Sequence, residues 1–194
     1  ARDAGLGSTT AFVHFENTCR HHHRVHDGQC GIADVIVEDQ VSPKDVAPDA
    51  QSIDLIARQI VVRKAGVKGS PEHGILERFI GVNLPDNAPP AEWISQSDVA
   101  PLLGITRARV GQVVEKSRER WTKLPALTSV RHEIERILRN QGGVMTHREL
   151  ISALLSARGS ALDEPERTRM SSLVVRAAVE TEKELDEPRF LEVR

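Results

Sequence analysis

A glycine within one short stretch, Leu102–Trp121 (LLGITRARVGQVVEKSRERW), constrains the fold more than any other feature of the sequence. Gly104 follows a pair of leucines and precedes Ile105 and Thr106. Glycine accepts the positive φ that a tight turn between two helices requires, and threonine is a preferred N-terminal cap. The stretch therefore predicts one helix that ends at about Leu103, a turn at Gly104, and a second helix from Thr106 to Thr122.

The apolar residues around this turn have the spacing of two helices that share a core. The first helix is predicted to begin at Gln96, and Ala100 is the small residue where the two helices cross. The predicted core positions follow helical periodicity. They are Val99 and Leu103 before the turn, Ile105 after it, and Val110, Val113 and Val114 in the second helix. This is the pattern of a helix-turn-helix.

The outward side of the second helix is polar and basic. Between Thr106 and Lys123 the sequence has six basic and two acidic residues, whereas the whole chain has a net charge of −2. Arginine can read guanine and glutamine can read adenine in the major groove, which the second helix of this motif enters. The residues predicted to contact double-stranded DNA are Thr106, Arg107, Ala108, Arg109, Gln112, Lys116, Arg118, Arg120 and Lys123.

Two other interpretations of this basic face stay open. A run of charges is often only the solvated side of a helical bundle. The motif also binds proteins, in which case the chain would be an interaction module that docks a partner or another part of its parent protein. Salt dependence separates these alternatives, because binding to DNA phosphates weakens strongly as salt rises.

Three segments are predicted along the chain. Residues 1–50 are poorly defined, with a His/Cys-rich loop and one candidate strand in IADVIVED. Residues 51–124 are predicted to form the helix-turn-helix domain. Residues 125–194 are predicted to form a winged-helix-like domain, with Val144-Met145 and the terminal RFLEVR as its short strands. The predicted fold class is mainly α, with tandem helix-turn-helix or winged-helix-like units and one or two short strands.

Capping residues predict where several further helices start. Asp49 or Ser52 precedes an apolar helix that carries Ile53 and Ile56, and Ser70-Pro71-Glu72 reads as a cap, a first-turn proline and a first-turn acid. Thr146 and Glu149 have capping-box spacing. Another helix is predicted from Leu127 or Thr128 to Asn140, and a last one from about Asp163 to about Glu184.

The last predicted helix and the residues after it are acidic. Asp163 to Arg194 contains nine acidic and six basic residues. This balance favours a packing or protein-interface role over DNA contact. Arg167, Arg169 and Arg176 keep a second DNA-binding surface open as an alternative.

No metal or cofactor is predicted. The order of the six potential ligands near the N-terminus, Cys19, His21, His22, His23, His26 and Cys30, matches no common zinc module. The sequence has no signal peptide and no apolar run long enough to span a bilayer, and two cysteines do not make a disulfide framework. We therefore expect a cytoplasmic protein with no membrane association, and the start at Ala rather than Met predicts a fragment.

The segment Ser70–Trp121 resembles region 4 of the sigma-70 family. The shared features are the Pro-Glu helix start, the Arg-Phe-Ile-Gly helix end, and the helix-turn-helix closed by a basic tail. In that family the second helix reads a promoter element. The resemblance assigns this role to Thr106, Arg107, Arg109 and Gln112.

Residues from about 50 to 194 are similar to the C-terminal part of phage-growth-limitation (BREX-type) serine/threonine kinases. The similarity extends through WTKLPALTSVRHEIERILRNQGGVMTHRELISALLSARGS. The chain has no Gly-rich phosphate loop, His-Arg-Asp loop or Asp-Phe-Gly motif of its own. The resemblance implies a bacterial defence kinase as parent and no enzymatic activity in this chain. The expected partners are double-stranded DNA and, alternatively, other parts of the parent or other defence-system proteins.

Overall fold

The computed structural model describes residues 42, 45–61, 71–82 and 93–193, and all of the regular secondary structure in these ranges is helical. The His/Cys-rich loop and the candidate strand in IADVIVED lie outside these residues. The described helices are α1 (Ile53–Ile60), α2 (Pro71–Phe79), α3 (Gln96–Leu102), α4 (Arg107–Thr122), α5 (Pro125–Asn140), α6 (His147–Arg158) and α7 (Glu166–Glu182). The mainly α prediction is confirmed for this part of the chain.

Local capping determines where several of the helices begin, as the sequence predicts. The Ser52 hydroxyl accepts a hydrogen bond from the backbone of Leu55 at the start of α1. A capping box between Thr146 and Glu149 starts α6. The backbone and side chain of Thr146 donate to the Glu149 carboxylate and hold the pKa of Glu149 below its ordinary value. Helix α5 begins at Pro125, earlier than predicted, because a first-turn proline has no N–H left unsatisfied.

The core surrounds α7. Ten consecutive residues of this helix, Leu173 to Glu182, are buried, and α7 contacts α1, α4, α5 and α6. Small side chains at Ala177 and Ala178, both fully buried, leave room for close neighbours. Burial on every side explains why α7 lacks the single apolar stripe of a surface helix.

Helices from both predicted domains pack on α7, and the described residues belong to one compact unit. The predicted boundary at 124/125 falls in the short connection between α4 and α5. Helix α1 is joined to the segment after α6 by polar contacts. The Asp54 carboxylate accepts hydrogen bonds of 2.7 Å from the Ser160 hydroxyl and the Ala161 backbone, and Ile53 donates its backbone N–H to Gly159.

Arg158, at the end of α6, ties the segment before α1 to α5. Its side chain is only 3% exposed. The guanidinium donates to the Glu133 carboxylate at 2.5 Å and to the Ser129 hydroxyl at 2.7 Å, both on α5. It also donates to the backbone carbonyl of Pro48 at 2.8 Å. The bond to Pro48 joins segments 110 positions apart in the sequence.

The winged-helix prediction is not confirmed, because the described residues contain no strands. Val144 and Val193 are 85% and 92% exposed, so neither predicted strand buries its apolar residues against a sheet. The backbone N–H of Arg189 donates to the Glu182 carboxylate at 2.7 Å instead of to a strand. The C-terminal segment is held by side chains of the helical core.

Replacing Leu173 by Ala tests the central position of α7. Leu173 is fully buried, and losing its side chain should lower the free energy of unfolding by about 2–5 kcal/mol. Urea unfolding followed by circular dichroism measures the change. Leu191→Ala is the matched control, because Leu191 is 68% exposed and its loss should have an effect within about 0.5 kcal/mol. Equal effects of the two substitutions would contradict the assignment of α7 to the core.

Candidate nucleic-acid interface

The connection between α3 and α4 is a tight turn built on Gly104. The backbone N–H of Gly104 donates to Pro101, and that of Ile105 donates to Ala100 at 3.0 Å, so the chain reverses directly after α3. Gly104 has a φ of +62°, which side-chain-bearing residues rarely adopt. The predicted turn residue is confirmed.

The faces that α3 and α4 turn inward are largely those predicted. Val99 and Val110 are fully buried, and Ala100 is 7% exposed. Val113 and Val114 are also buried on the inner face of α4. Leu103 and Ile105 differ from the prediction, because both are only half-buried. They flank the turn, where the unit meets solvent.

Gly111 lies where α3 approaches α4, and it is not among the residues singled out from the sequence. It is half-buried, and a Cβ built on it would lie 3.4 Å from the side-chain oxygen of Gln96. A glycine inside a helix lowers helix stability relative to alanine. A glycine inside a predicted helix was therefore the feature of the sequence that could have indicated a close neighbour at this position.

The outer face of α4 carries most of the predicted DNA-contacting residues. The Thr106 hydroxyl accepts a hydrogen bond of 3.2 Å from the backbone of Arg109 and so caps the helix, as predicted. The side chain of Arg109 donates to that of Gln112 at 3.4 Å. The exposed predicted residues in the first part of the helix are Thr106, Arg107, Ala108, Arg109, Gln112 and Lys116. We call these six residues the outer face of α4.

A carboxylate from another helix lies against this outer face. Glu72, in the first turn of α2, accepts from Arg109 at 3.2 Å and lies 3.6 Å from the ammonium group of Lys116. From the sequence alone, Glu72 is expected only to start a helix. The pairing depends on how α2 packs on α4, and no local pattern in the sequence indicates it.

The basic tail of α4 is divided between internal contacts and solvent. The guanidinium of Arg118 pairs with the Glu180 carboxylate and lies 2.9 Å from Glu184, and its side chain is 19% exposed. Arg120 donates to the backbone carbonyl of Ile60 at 2.5 Å, at the end of α1. Lys123 is exposed. Arg118 and Arg120, predicted to contact DNA, therefore hold α4 to its neighbours, although Arg120, like Lys123, is exposed.

Trp121 completes the attachment of α4. It is fully buried, and its indole N–H donates to the Ile60 carbonyl at 3.4 Å, beside the guanidinium of Arg120. Two donors thus meet the Ile60 carbonyl at the C-terminal end of α1, where backbone acceptors lack helical partners.

Arg176 does not form part of a second DNA-binding surface. The residue is 1% exposed, and its guanidinium lies 4.0 Å from the centre of the Phe79 ring and 5.6 Å from that of Trp93. It also donates to the backbone carbonyl of Ile94 at 2.5 Å. Arg176 instead joins α7 to α2 and to the segment that leads into α3.

The acidic end of α7 is internal, so of the two predicted roles, packing or a protein interface, the structure shows packing. Glu182 is fully buried, and its carboxylate lies 3.5 Å from the guanidinium of Arg131 on α5. Burial lowers the pKa of Arg131, while the charge of Glu182 raises it and that of Arg189 lowers it. These acids therefore serve as partners for buried and half-buried arginines.

Neither a metal site nor a membrane segment is found in the described ranges. No three of their His, Cys, Asp and Glu side chains are grouped so as to hold a metal ion. None of their helices has the length and apolar character needed to span a bilayer. The six potential ligands between Cys19 and Cys30 lie outside these ranges.

The chain is similar to part of the probable kinase PglW of Streptomyces coelicolor. The two share 38% identity over 112 residues, which make up 57% of this chain and 6% of that protein. The chain therefore spans only a small part of this relative. No protein-family model and no solved structure matches the chain. The similarity supports the predicted link to these kinases, while the resemblance to sigma-70 region 4 stays a prediction.

Substitutions of two glycines should have opposite effects on stability. Gly104→Ala places a side chain at a φ of +62° and should lower the free energy of unfolding by about 1–2 kcal/mol. Gly111→Ala adds a Cβ in ordinary contact with a flexible amide and should raise it by about 0.5–1 kcal/mol, because alanine favours the helix. Denaturant unfolding of both variants measures the difference. An unchanged Gly104→Ala variant would contradict the turn geometry.

Glu180 should make the fold sensitive to acid. Burial acts to raise the pKa of Glu180, but hydrogen bonds from Lys183 and Arg118 and their charges outweigh it, so the pKa lies below its ordinary value of 4.5. Since the folded pKa is the lower one, the carboxylate stabilises the fold above about pH 4.5 and loses this contribution as the pH falls further.

Glu180→Gln should therefore be less stable at neutral pH and should lose less stability than the wild type on acidification. Urea unfolding between about pH 7 and pH 3 measures both effects. Glu187→Gln, at an exposed position, is the control and should follow the wild type. If Glu180→Gln loses as much stability on acidification as the wild type, this role of Glu180 is ruled out.

Proposed function

We propose that the chain binds double-stranded DNA through a helix-turn-helix formed by α3 and α4. One observation carries the proposal. Helix α4 buries Val110, Val113 and Val114 on one side and exposes Arg107, Arg109, Gln112 and Lys116 on the other. A helix that is fixed by its inner side and lined by Arg, Gln and Lys outside has the character of a recognition helix.

In this proposal the first turns of α4 enter the major groove. Arg107 and Arg109 reach guanine, and Gln112 reaches adenine, each through paired hydrogen bonds. The free backbone N–H groups after Thr106 and the dipole of α4 favour a phosphate at the edge of the groove. Lys116 and Lys123 contact phosphates further along the helix and supply affinity without sequence preference.

The internal contacts of Arg118, Arg120 and Trp121 support this function indirectly. They hold α4 to α1 and α7 in the unbound protein. A helix that is already fixed loses less conformational freedom on binding, which favours affinity. The proposed interface therefore consists of the outer face of α4 and Lys123, without Arg118 and Arg120.

We further propose that the chain is a DNA-binding segment of a bacterial phage-defence kinase and works in the cytoplasm. The support is the 38% identity to a segment of the probable kinase PglW. Since the sequence lacks the motifs of a kinase, catalysis is assigned to other parts of such a protein. Binding of α4 to DNA would then bring the kinase to nucleic acid.

A protein-docking module is the second candidate function. Val144, Leu191 and Val193 are large apolar residues with 68% or more of their surface exposed. Leu191 and Val193 line one groove, of about 450 Å³, together with Met145. Apolar surface of this kind is common where proteins bind one another. If the chain docks through this groove, we expect it to bind another part of the parent protein with an affinity that depends only weakly on salt.

Titration of labelled random duplex DNA, followed by fluorescence anisotropy at 50 and 200 mM salt, distinguishes the two functions. A chain that contacts several phosphates should lose affinity strongly over this range. Binding of the duplex at 50 mM salt that weakens at 200 mM supports the DNA proposal. Absence of binding at both concentrations would reject it and favour protein docking.

Two substitutions test the orientation of α4 on DNA. Arg107→Ala should weaken binding by about 1–3 kcal/mol if Arg107 reads a base, whereas Lys123→Ala should weaken it less and reduce the salt slope by about 1. Arg139→Ala is the control, because it removes an exposed charge from α5 that pairs with Glu135. Loss of affinity in Arg139→Ala equal to that in Arg107→Ala would reject the proposed orientation.

A further inference from the structure

We propose that Glu72 is a built-in counter-charge that limits the affinity of the outer face of α4 for DNA phosphates. This inference rests on the proposed DNA-binding function. Each carboxylate oxygen of Glu72 meets a different cation of α4, at 3.2 Å from Arg109 and at 3.6 Å from Lys116. The carboxylate comes from α2, whereas both of its partners lie on the outer face of α4, on the side away from the core.

Glu72 lies between the start of its own helix and two cations of α4. It stands in the first turn of α2, where the positive end of the helix dipole attracts a negative group. Two cations lie within 4 Å of its carboxylate. Glu72 therefore places a fixed negative charge beside the residues that are proposed to meet DNA.

The pairs of Glu72 are too exposed to be explained by fold stability. The side chains of Glu72 and Arg109 are 43% and 46% exposed, and that of Lys116 is 74% exposed. Ion pairs as exposed as these contribute little to stability. These pairs affect DNA binding instead. A duplex must compete with the Glu72 carboxylate for both cations, and the same negative charge repels the phosphates of the duplex.

Arg109 is held from two sides in the unbound protein. One of its terminal nitrogens donates to Glu72 and the other to Gln112. A guanine or a phosphate that accepts two hydrogen bonds from Arg109 can replace these contacts, but only the contact with guanine depends on the DNA sequence. Glu72 thus acts against binding to every duplex, and a base contact adds binding energy that an arbitrary duplex does not supply.

The test compares Glu72→Gln with the wild type on random duplex DNA. The variant keeps the shape of the side chain and removes its charge. It should bind about threefold to tenfold more tightly at 50 mM salt. Its advantage should shrink by about threefold at 200 mM, as expected for one additional phosphate contact with a salt slope of about 0.9. Glu187→Gln removes an equal charge at an exposed position and should match the wild type.

A second comparison asks whether Glu72 acts through its partners. In a chain that carries Arg109→Ala and Lys116→Ala, Glu72→Gln should no longer increase affinity. An increase that persists there, or a gain that Glu187→Gln reproduces, would overturn the mechanism, because the effect would then be general charge repulsion.

The two proposals fail in different ways. If the wild type binds DNA and Glu72→Gln binds equally or less tightly, the counter-charge is wrong and the DNA-binding function stands. If neither protein binds at 50 mM salt, both are wrong. Binding by Glu72→Gln at 50 mM salt where the wild type shows none supports the counter-charge and rejects DNA binding by the unaltered chain.

Discussion

Helix α7 is buried along ten consecutive residues, and helices α1, α4, α5 and α6 pack against it. Each charged group in this buried stretch requires a partner inside the protein, since an unpaired buried charge is strongly destabilising. Arg176 contacts the rings of Phe79 and Trp93 and donates to the Ile94 carbonyl. Glu180 accepts hydrogen bonds from Arg118 and Lys183. The same contacts connect α7 to the segments on both sides of the α3–α4 turn. The central helix therefore fixes the position of the proposed interface.

This requirement sorts the basic residues of α4 into two groups. Arg118 turns toward the acids of α7, and Arg120 turns toward the end of α1. Arg107, Arg109 and Lys116 stay on the exposed side. A net positive charge on a stretch of sequence is thus a poor guide to the charge that a ligand meets, because acids from distant segments neutralise part of it. Glu72 also neutralises part of the positive charge on the outer face of α4, where it pairs with Arg109 and Lys116.

The similarity to a segment of PglW gives this arrangement a context. A kinase that carries such a segment would have two separable tasks, catalysis elsewhere in the chain and contact with nucleic acid at α4. In the proposed function, affinity for arbitrary DNA is kept low by the counter-charge, while base contacts by Arg107 and Arg109 supply selectivity. An interface of one helix is small, so contacts outside the described residues would add to the affinity of the whole protein.

The sequence by itself determined the local features. The caps at Ser52, Thr106 and Thr146, the turn at Gly104 and the buried valines of α4 depend on neighbours a few positions away, and the structure confirms them. Only the tertiary structure decided the long-range pairs: Arg118 with Glu180, Arg109 with Glu72, and Arg158 with the backbone before α1. It also decided that the predicted wing has no strands in the described part of the chain. The physical reason is that caps and turns are satisfied by bonds within a few residues, whereas the partner of a charged side chain depends on which helices pack together.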